Sequence, residues 1–264
     1  MSLVVSHDFG FFSCCSVKLR SIVDYINQNR KLPENVDSSG LFSIYKPNGI
    51  DDITYDFFQI PTNSDYVYKH NLEYGDWHQL HKYYTLDFEN LQPILKLYFE
   101  PSQRIQTVSR DFLLRYGISY ERCIGLYYRG TDKCSETKID SFESFYTKLN
   151  ELLENIHLEN VQILLQTDTT QLEEYITSKM KHDTKHSCKL VIIKELLSSS
   201  TIAGIHNERT RQQNYNDITN LLSIVTILSK CKYILCTSGN VSCWIMLYRG
   251  NTKNVYQNLN CNWV

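Results

Sequence analysis

The sequence predicts an α/β protein with a mainly parallel sheet, because strand-like and helix-like segments alternate through its second half. Short apolar runs typical of buried strands occupy residues 123–128, 161–166, 190–194, 233–236 and 254–257. Segments with helical periodicity separate these runs, at residues 142–155, 171–180, 215–230 and 241–249. Strands that alternate with helices of this length form βαβ units, in which the two strands run parallel.

The helix predictions depend on apolar side chains that recur every three or four residues. One such stripe consists of Phe142, Phe145, Leu149, Leu152 and Leu153. A second stripe consists of Ile218, Leu221, Leu222, Val225 and Leu228. We expect both stripes to face the protein core.

The first half of the chain opens with a βαβ unit of its own. A strand is predicted at residues 4–7, a helix follows with its apolar stripe at Leu19, Ile22, Val23 and Ile26, and a second strand is predicted at residues 41–45. Residues 48–90 have weak periodicity, which indicates loops and short helices around a cleft. We place a domain boundary near residue 119. The prediction is therefore two Rossmann-like domains, 1–118 and 119–264, facing a cleft that can hold two substrates.

Composition excludes several classes of function. The net charge of -2 gives no basic field, so we expect neither a nucleic-acid partner nor binding to an anionic membrane. No apolar stretch approaches the roughly 18 residues of a membrane span, and the first residues lack a signal-peptide pattern, so we expect a cytoplasmic protein without stable membrane insertion.

Nine scattered cysteines suit reduced, buried thiols better than a disulfide framework. Their spacing matches no zinc site, and His78 with His81 has no further ligands nearby. We therefore expect no metal and no cofactor.

The most informative segment follows the strand predicted at residues 123–128. It reads Arg129-Gly130-Thr131-Asp132-Lys133. Ligands bind beyond the carboxyl ends of strands in open α/β sheets. An arginine and a lysine placed there can hold a phosphate, the arginine with its planar fork and the lysine as a point charge. The alternative is an ordinary surface arginine in a weak ion pair.

Three further polar segments follow buried strands or their loops. Gln166-Thr167-Asp168-Thr169-Thr170 ends a strand, and Thr169 or Thr170 can cap the next helix. Residues 236–242 (Cys-Thr-Ser-Gly-Asn-Val-Ser) place small residues at a helix amino terminus, where free N–H groups bind anions. Gly204-Ile205-His206-Asn207 is the third. Each segment alone is also consistent with a turn and a helix cap.

Together, these four motifs resemble the α1,6-fucosyltransferase family and its relatives, which are two-domain GT-B glycosyltransferases that use GDP-fucose. The family motif Ile-Gly-Val-His-Val-Arg-Arg-Thr-Asp-Lys aligns without a gap with residues 124–133. The family's Ala-Thr-Asp-Asp resembles residues 166–169, its Ala-Gly-Leu-His-Asn resembles residues 203–207, and its Leu-Ser before Cys-Thr matches Leu228-Ser229 before Cys236-Thr237. The resemblance covers about residues 122–250.

The resemblance implies a GT-B-like α/β fold and an inverting, metal-independent transfer of fucose from GDP-fucose to a glycan or glycoconjugate. It implies catalytic roles for Arg129, Lys133 and Glu136. The implied donor-binding residues are Tyr127, Arg129, Asp132, Asp168, His206, Asp217, Ser238, Gly239 and Asn240. A faint match after the first strand places Gly10, Phe11 and Phe12 on the acceptor side, and the acceptor itself against aromatic side chains of residues 45–100.

The sequence also departs from the family pattern. The second arginine of the motif is Gly130 here, and the motif histidine is Tyr127. The position of the catalytic glutamate is Thr137, so the adjacent Glu136 becomes the candidate base if the loop is one residue shorter.

The aspartate with which the family reads guanine corresponds to Ile224, and Asp217, two helical turns earlier on the same face, is a substitute. These departures leave three alternatives open: a different nucleotide sugar, a catalytically inactive nucleotide- or glycan-binding homologue, and a purely structural interaction protein.

Overall fold

A computed structural model describes residues 2–62, 65–79, 82–130, 140–183, 185–196 and 209–258. Within these residues the second half of the chain forms a five-stranded parallel sheet. Its strands are β3 (Cys123–Tyr128), β4 (Gln162–Thr167), β5 (Lys189–Ile192), β6 (Tyr233–Thr237) and β7 (Val255–Asn258). The strand positions and the parallel sheet confirm the prediction, because fully buried β3 and β4 carry unbroken runs suited to a sheet covered on both faces.

The strand order is β5-β4-β3-β6-β7. The chain builds outward from β3 in one direction through β4 and β5, and then returns to the other side of β3 for β6 and β7. The topological switch point therefore lies between β3 and β6, where the connections leave in opposite directions. Crevices at such points are where doubly wound sheets bind ligands.

Helices cover both faces of this sheet. Helices α5 (Phe142–Asn155) and α6 (Thr170–Lys181) pack on one face, against strand residues such as Ile124 and Leu126. Helices α7 (Arg211–Lys230) and α8 (Asn240–Arg249) belong to the other face. All four helices occur where the apolar periodicity predicts them, because burying each apolar stripe against the sheet stabilises both elements.

Elements of the first half pack on the layer formed by α7 and α8. Helix α4 (Gln103–Tyr116) packs against α7, while α1 (Phe11–Asn29) and α3 (Phe88–Tyr98) pack against α8. One buried apolar cluster contains residues from both halves of the chain. Helix α4 ends at Tyr116, and the left-handed conformation of the following Gly117 terminates it, two residues before the predicted boundary at residue 119.

The first half also contains a small parallel sheet of β1 (Ser2–Ser6) and β2 (Asn35–Gly40), joined through α1. The strand predicted at residues 41–45 is therefore wrong. Asp37-Ser38-Ser39-Gly40 has turn-like composition, yet it pairs with β1, and a β-carbon on Gly40 would lie 2.8 Å from that of Ser6. Leu41 and Phe42 instead enter the core from a bend, and residues 43–45 form a 3₁₀ turn.

Residues 48–90 contain short helices and loops, as predicted, within the part that is described. Helix α2 (Thr54–Phe57) and two 3₁₀ turns, Asp76–Gln79 and Tyr83–Thr85, are the regular elements that occur before α3. Phe57 and Phe58 anchor this region in the core.

The described cysteines are mostly buried in the core. All seven are unpaired, and six of them are buried, whereas Cys134 and Cys261 lie outside the described residues. Burial raises the pKa of Cys236 to about 12, so this thiol stays protonated. Separately, none of the helices in the described ranges combines the length and apolar character needed to cross a bilayer.

Candidate functional site

The candidate site lies where β3, β4 and β6 end side by side. Tyr127 on β3 pairs with Gln166 on β4 and with Cys236 on β6, so the residues that follow these strands emerge at one edge of the sheet. Arg129, Asp168 and Ser238 are those residues. The prediction that these residues follow buried strands is confirmed, and the structure makes those strands neighbours.

Arg129 is held from both neighbouring strands. Its backbone N–H donates to Thr237 Oγ1 at 3.2 Å, across the switch point. Its guanidinium Nε lies 3.7 Å from Asp168 Oδ2, and the other carboxylate oxygen accepts the Gly130 N–H at 2.7 Å. The side chains of Arg129 and Asp168 are only 26% and 16% exposed, so this ion pair is screened less than a surface pair. The arrangement holds a cation at the mouth of the crevice.

The shape of the site explains why residue 130 is glycine. A β-carbon there would lie 2.7 Å from the Tyr128 ring and 3.1 Å from Thr169 Cγ2. The second arginine of the family motif therefore does not fit without movement of the buried Tyr128. Thr169 is the N-cap residue of α6, but its hydroxyl donates to Gln171 instead of capping the helix.

The first half of the chain reaches the same region through Tyr45. The Tyr45 hydroxyl accepts the N–H of Phe11, at the start of α1, over 3.0 Å. Burial raises the pKa of Tyr45, and the Arg129 cation is near enough to oppose part of that rise. Tyr45 is therefore hydrogen-bonded to the start of α1 and lies within electrostatic reach of Arg129.

The predicted acceptor-side residues have different surroundings. The ring of Phe11 stacks on Phe42 at 4.8 Å, and the ring of Phe12 packs near Trp244 at 5.9 Å. Both rings are buried in the core, so neither is available to a glycan. Gly10, the N-cap of α1, is partly exposed and stays an acceptor-side prediction through its backbone.

The turn at the start of α8 is covered by a residue that the sequence analysis misses. The Tyr83 hydroxyl accepts the N–H of Gly239 at 3.1 Å and lies 3.2 Å from the Gly239 carbonyl, to which it donates. The Gly239 amide thus already has a partner, which corrects the expectation of a free anion-binding N–H there. Gly239 has φ +147, a conformation that suits glycine.

Two further contacts hold the side chains of this turn. Gln257 Nε2 donates to Ser238 Oγ at 3.0 Å, and Ser16 Oγ on α1 donates to Asn240 Oδ1 at 3.0 Å. Ser238 and Asn240 stay donor-binding predictions.

Helix α7 carries both the position at which the family binds guanine, Ile224, and the predicted substitute, Asp217. Ile224 is fully buried in the core, and the carboxylate of Asp217 pairs with Arg209. Burial raises the pKa of Asp217, and the ion pair with Arg209 opposes the rise. A carboxylate held in this way is already partnered by a cation.

Several predicted residues lie outside the described residues: Asp132, Lys133, Glu136 and His206. Among the residues that are described, there is no group of three or more histidine, cysteine, aspartate or glutamate side chains that could hold a metal. Nδ1 of the buried His78 lies 3.0 Å from the backbone nitrogen and 2.9 Å from the carbonyl oxygen of Gly75, and His81 lies outside the described residues.

Comparison with known proteins finds similarity in structure alone. No family model matches the chain, and no curated protein matches it in sequence. Crystal structures of the NodZ α-1,6-fucosyltransferase do match. The form soaked with GDP-fucose has a TM-score of 0.58, at 10% identity over 94% of this chain and 92% of that one. The form co-crystallised with GDP has a TM-score of 0.56, at 10% identity over 94% and 91%.

The selenomethionine form of NodZ, from Bradyrhizobium, gives a TM-score of 0.57 at the same identity, over 94% of this chain and 91% of that one. The chain therefore has a fucosyltransferase-like α/β fold. At this identity the similarity establishes the fold, and the chemistry has to be argued from the site.

Proposed function

We propose that this protein is a glycosyltransferase that transfers fucose from GDP-fucose to a hydroxyl group of a glycan or glycoconjugate. The observation that carries the proposal is the guanidinium of Arg129 at the switch point of a parallel sheet, where Asp168 pairs with the guanidinium and Thr237 accepts the backbone N–H of Arg129. The shared fold supports it, since NodZ structures were obtained with GDP-fucose and GDP.

In the proposed reaction the acceptor oxygen attacks C1 of fucose while the bond between C1 and the β-phosphate oxygen breaks. Negative charge builds on the departing GDP, and the fixed Arg129 cation stabilises it. Groups of this kind are worth about 3 kcal/mol in the transition state. Direct displacement inverts the configuration at C1, and this cation takes the place of a metal.

The acceptor hydroxyl must lose a proton as the new bond forms. We assign this proton to Glu136, which follows β3 in the sequence, with Lys133 completing the phosphate clamp begun by Arg129. A carboxylate base must lie within hydrogen-bond reach of the attacking hydroxyl.

The acceptor is proposed to bind along the first half of the chain. Tyr55, Trp77 and Tyr84 are all substantially exposed there, at 40%, 48% and 66%. Aromatic rings with this exposure can pack against the apolar faces of sugars.

A second candidate is the same fold with another nucleotide sugar. It is favoured by the burial of Ile224 and by the pairing of Asp217 with Arg209, which leave neither α7 position suited to guanine.

Calorimetric titration with GDP, UDP and ADP separates the two candidates, since tighter binding of UDP or ADP would reject the guanine donor. Turnover of GDP-fucose is then measured with and without EDTA, and the anomeric configuration of the product is read by NMR. Turnover that is lost in EDTA would contradict metal independence. A protein that binds glycan but turns over no donor would favour the inactive homologue.

A further inference from the structure

The loop between β1 and α1 presents an aromatic ring to solvent. Phe9 is 67% exposed, whereas the rings of Phe11 and Phe12 that follow it are buried. The Phe9 ring lies 5.0 Å from the imidazole of His7, at an angle of 38°. Together the two rings form a small aromatic surface at the carboxyl end of β1, the end of a parallel strand at which ligands bind in open α/β sheets.

Hydrogen-bonding groups lie beside this aromatic surface. Nε2 of His7 and Oγ of Ser13 lie 2.9 Å apart, a contact that orients the imidazole. Within the described ranges Nδ1 of His7 has no hydrogen-bond partner, and the side chain is partly exposed. The exposed Asp8 accepts the Ser43 hydroxyl with Oδ1, and its Oδ2 has no partner in the part of the chain that is described. A ring nitrogen and a carboxylate oxygen are therefore both available to a ligand.

The loop adjoins the Arg129 crevice through the first two turns of α1. The first N–H of the helix donates to the Tyr45 hydroxyl at 3.0 Å, and Tyr45 lies within electrostatic reach of Arg129. In the next turn, Ser16 Oγ donates to Asn240 Oδ1 at the start of α8. Both contacts bring the loop ahead of α1 next to the strand ends of the large sheet.

We propose that His7, Asp8 and Phe9 form the subsite for the sugar that receives fucose, and that this sugar is neutral. This inference rests on the proposed function. The apolar C–H face of a pyranose packs on an aromatic ring, while its hydroxyl groups bond to the carboxylate and the imidazole. The carboxylate repels sugars that carry a sulfate or carboxylate group, because like charges disfavour each other.

Lactose and cellobiose test the subsite, since their terminal galactose and glucose are neutral and have an apolar face. Each is titrated into isotope-labelled protein, with and without GDP, and the Kd is read from NMR shifts. We expect the wild type to bind at least one of them. Phe9→Ala should weaken that binding roughly 5- to 30-fold, because the sugar no longer covers the ring. His7→Phe keeps a ring beside Phe9 and removes both nitrogens, and should weaken binding roughly three- to tenfold.

Sulfated forms of the two disaccharides test the role of the charge. We expect a sulfate on the terminal sugar to weaken binding to the wild type about fivefold, the effect of a like charge a few ångströms away in water. Asp8→Asn keeps an oxygen that can accept the Ser43 hydroxyl and removes the charge. This variant should bind the neutral and the sulfated forms with nearly equal affinity.

Leu114→Ala is the matched control, since Leu114 is an apolar side chain on α4 that is 77% exposed. It should leave sugar affinity unchanged. Phe9→Ala should keep the melting temperature of the wild type, because its ring is exposed, so a loss of binding reports the subsite and not the fold.

The outcomes separate the two proposals. If the wild type binds neither disaccharide, or if Phe9→Ala binds them as tightly as the wild type does, the subsite is wrong, and turnover of GDP-fucose decides the proposed function independently. If sugar binding depends on Phe9 but the wild type does not turn over GDP-fucose, the proposed function fails and the loop stands as a sugar-binding site.

Discussion

The Asp168 carboxylate has two roles: its charge faces Arg129, and one of its oxygens accepts the Gly130 N–H. Replacing Asp168 with asparagine removes the charge and keeps the hydrogen bond. An asparagine oxygen still accepts the Gly130 N–H, now 2.7 Å from Oδ1, but the ion pair at 3.7 Å disappears. At an effective dielectric constant of about 20, unit charges at that separation attract by about 4 kcal/mol, before desolvation is subtracted. Partial exposure lowers the net value, and we take about 1–2 kcal/mol as the energy that orients the guanidinium.

An energy of this size corresponds to a roughly 5- to 30-fold loss of kcat when orientation is lost. The affinity for GDP should change little, because removing a carboxylate near the diphosphate offsets the poorer placement of the arginine. The assay compares kcat and KM for GDP-fucose with the calorimetric Kd for GDP.

Asp111→Asn is the matched control, since its ion pair with Arg115 lies on the exposed surface of α4. It should leave kcat unchanged. An Asp168→Asn variant with wild-type kcat would refute the reasoning, because Arg129 would then owe its position to other contacts.

Three further substitutions test the packing of the protein. Burial lowers the pKa of Lys18 to about 8, so holding this side chain charged costs the folded state about 3 kcal/mol at pH 7. Lys18→Met should therefore raise the free energy of unfolding, measured by chemical denaturation, by up to that amount. The gain should shrink as the pH rises from 8 towards 10.5, because the lysine then loses its charge. Tyr83→Phe should cost about 1–3 kcal/mol in the same assay, because the Gly239 amide loses a buried partner. Gly130→Ala should cost about 1–3 kcal/mol through its collision with the Tyr128 ring, and a melting temperature equal to wild type would contradict the close approach.

The second half of the fold follows closely from its sequence. Buried parallel strands read as short apolar runs and their helices as stripes of period 3.6, so β3 and α5 have the predicted bounds. Strand β2 escapes prediction because its composition is that of a turn. Its pairing comes from β1, more than thirty residues away, and a local pattern does not record that contact.

The candidate site is predictable in part for the same reason. Arg129 and Asp168 end adjacent apolar runs, so their proximity follows from the parallel sheet. The hydrogen bond between Tyr83 and Gly239 joins residues 156 positions apart. The buried Oε1 of Gln166 lacks a partner only because of how distant parts of the chain pack around it. Neither feature has a signature in the local sequence.

The central claim is that the Arg129 guanidinium stabilises a departing nucleoside diphosphate, and its substitution tests that claim most directly. Turnover of GDP-fucose is measured for wild type, Arg129→Ala and Arg122→Ala. Arg122 is the control because it is exposed and precedes the first residue of β3, at the end of the strand away from the site. We predict a 10²- to 10³-fold loss of kcat for Arg129→Ala and wild-type turnover for Arg122→Ala. Turnover by Arg129→Ala within a few-fold of wild type would contradict the account.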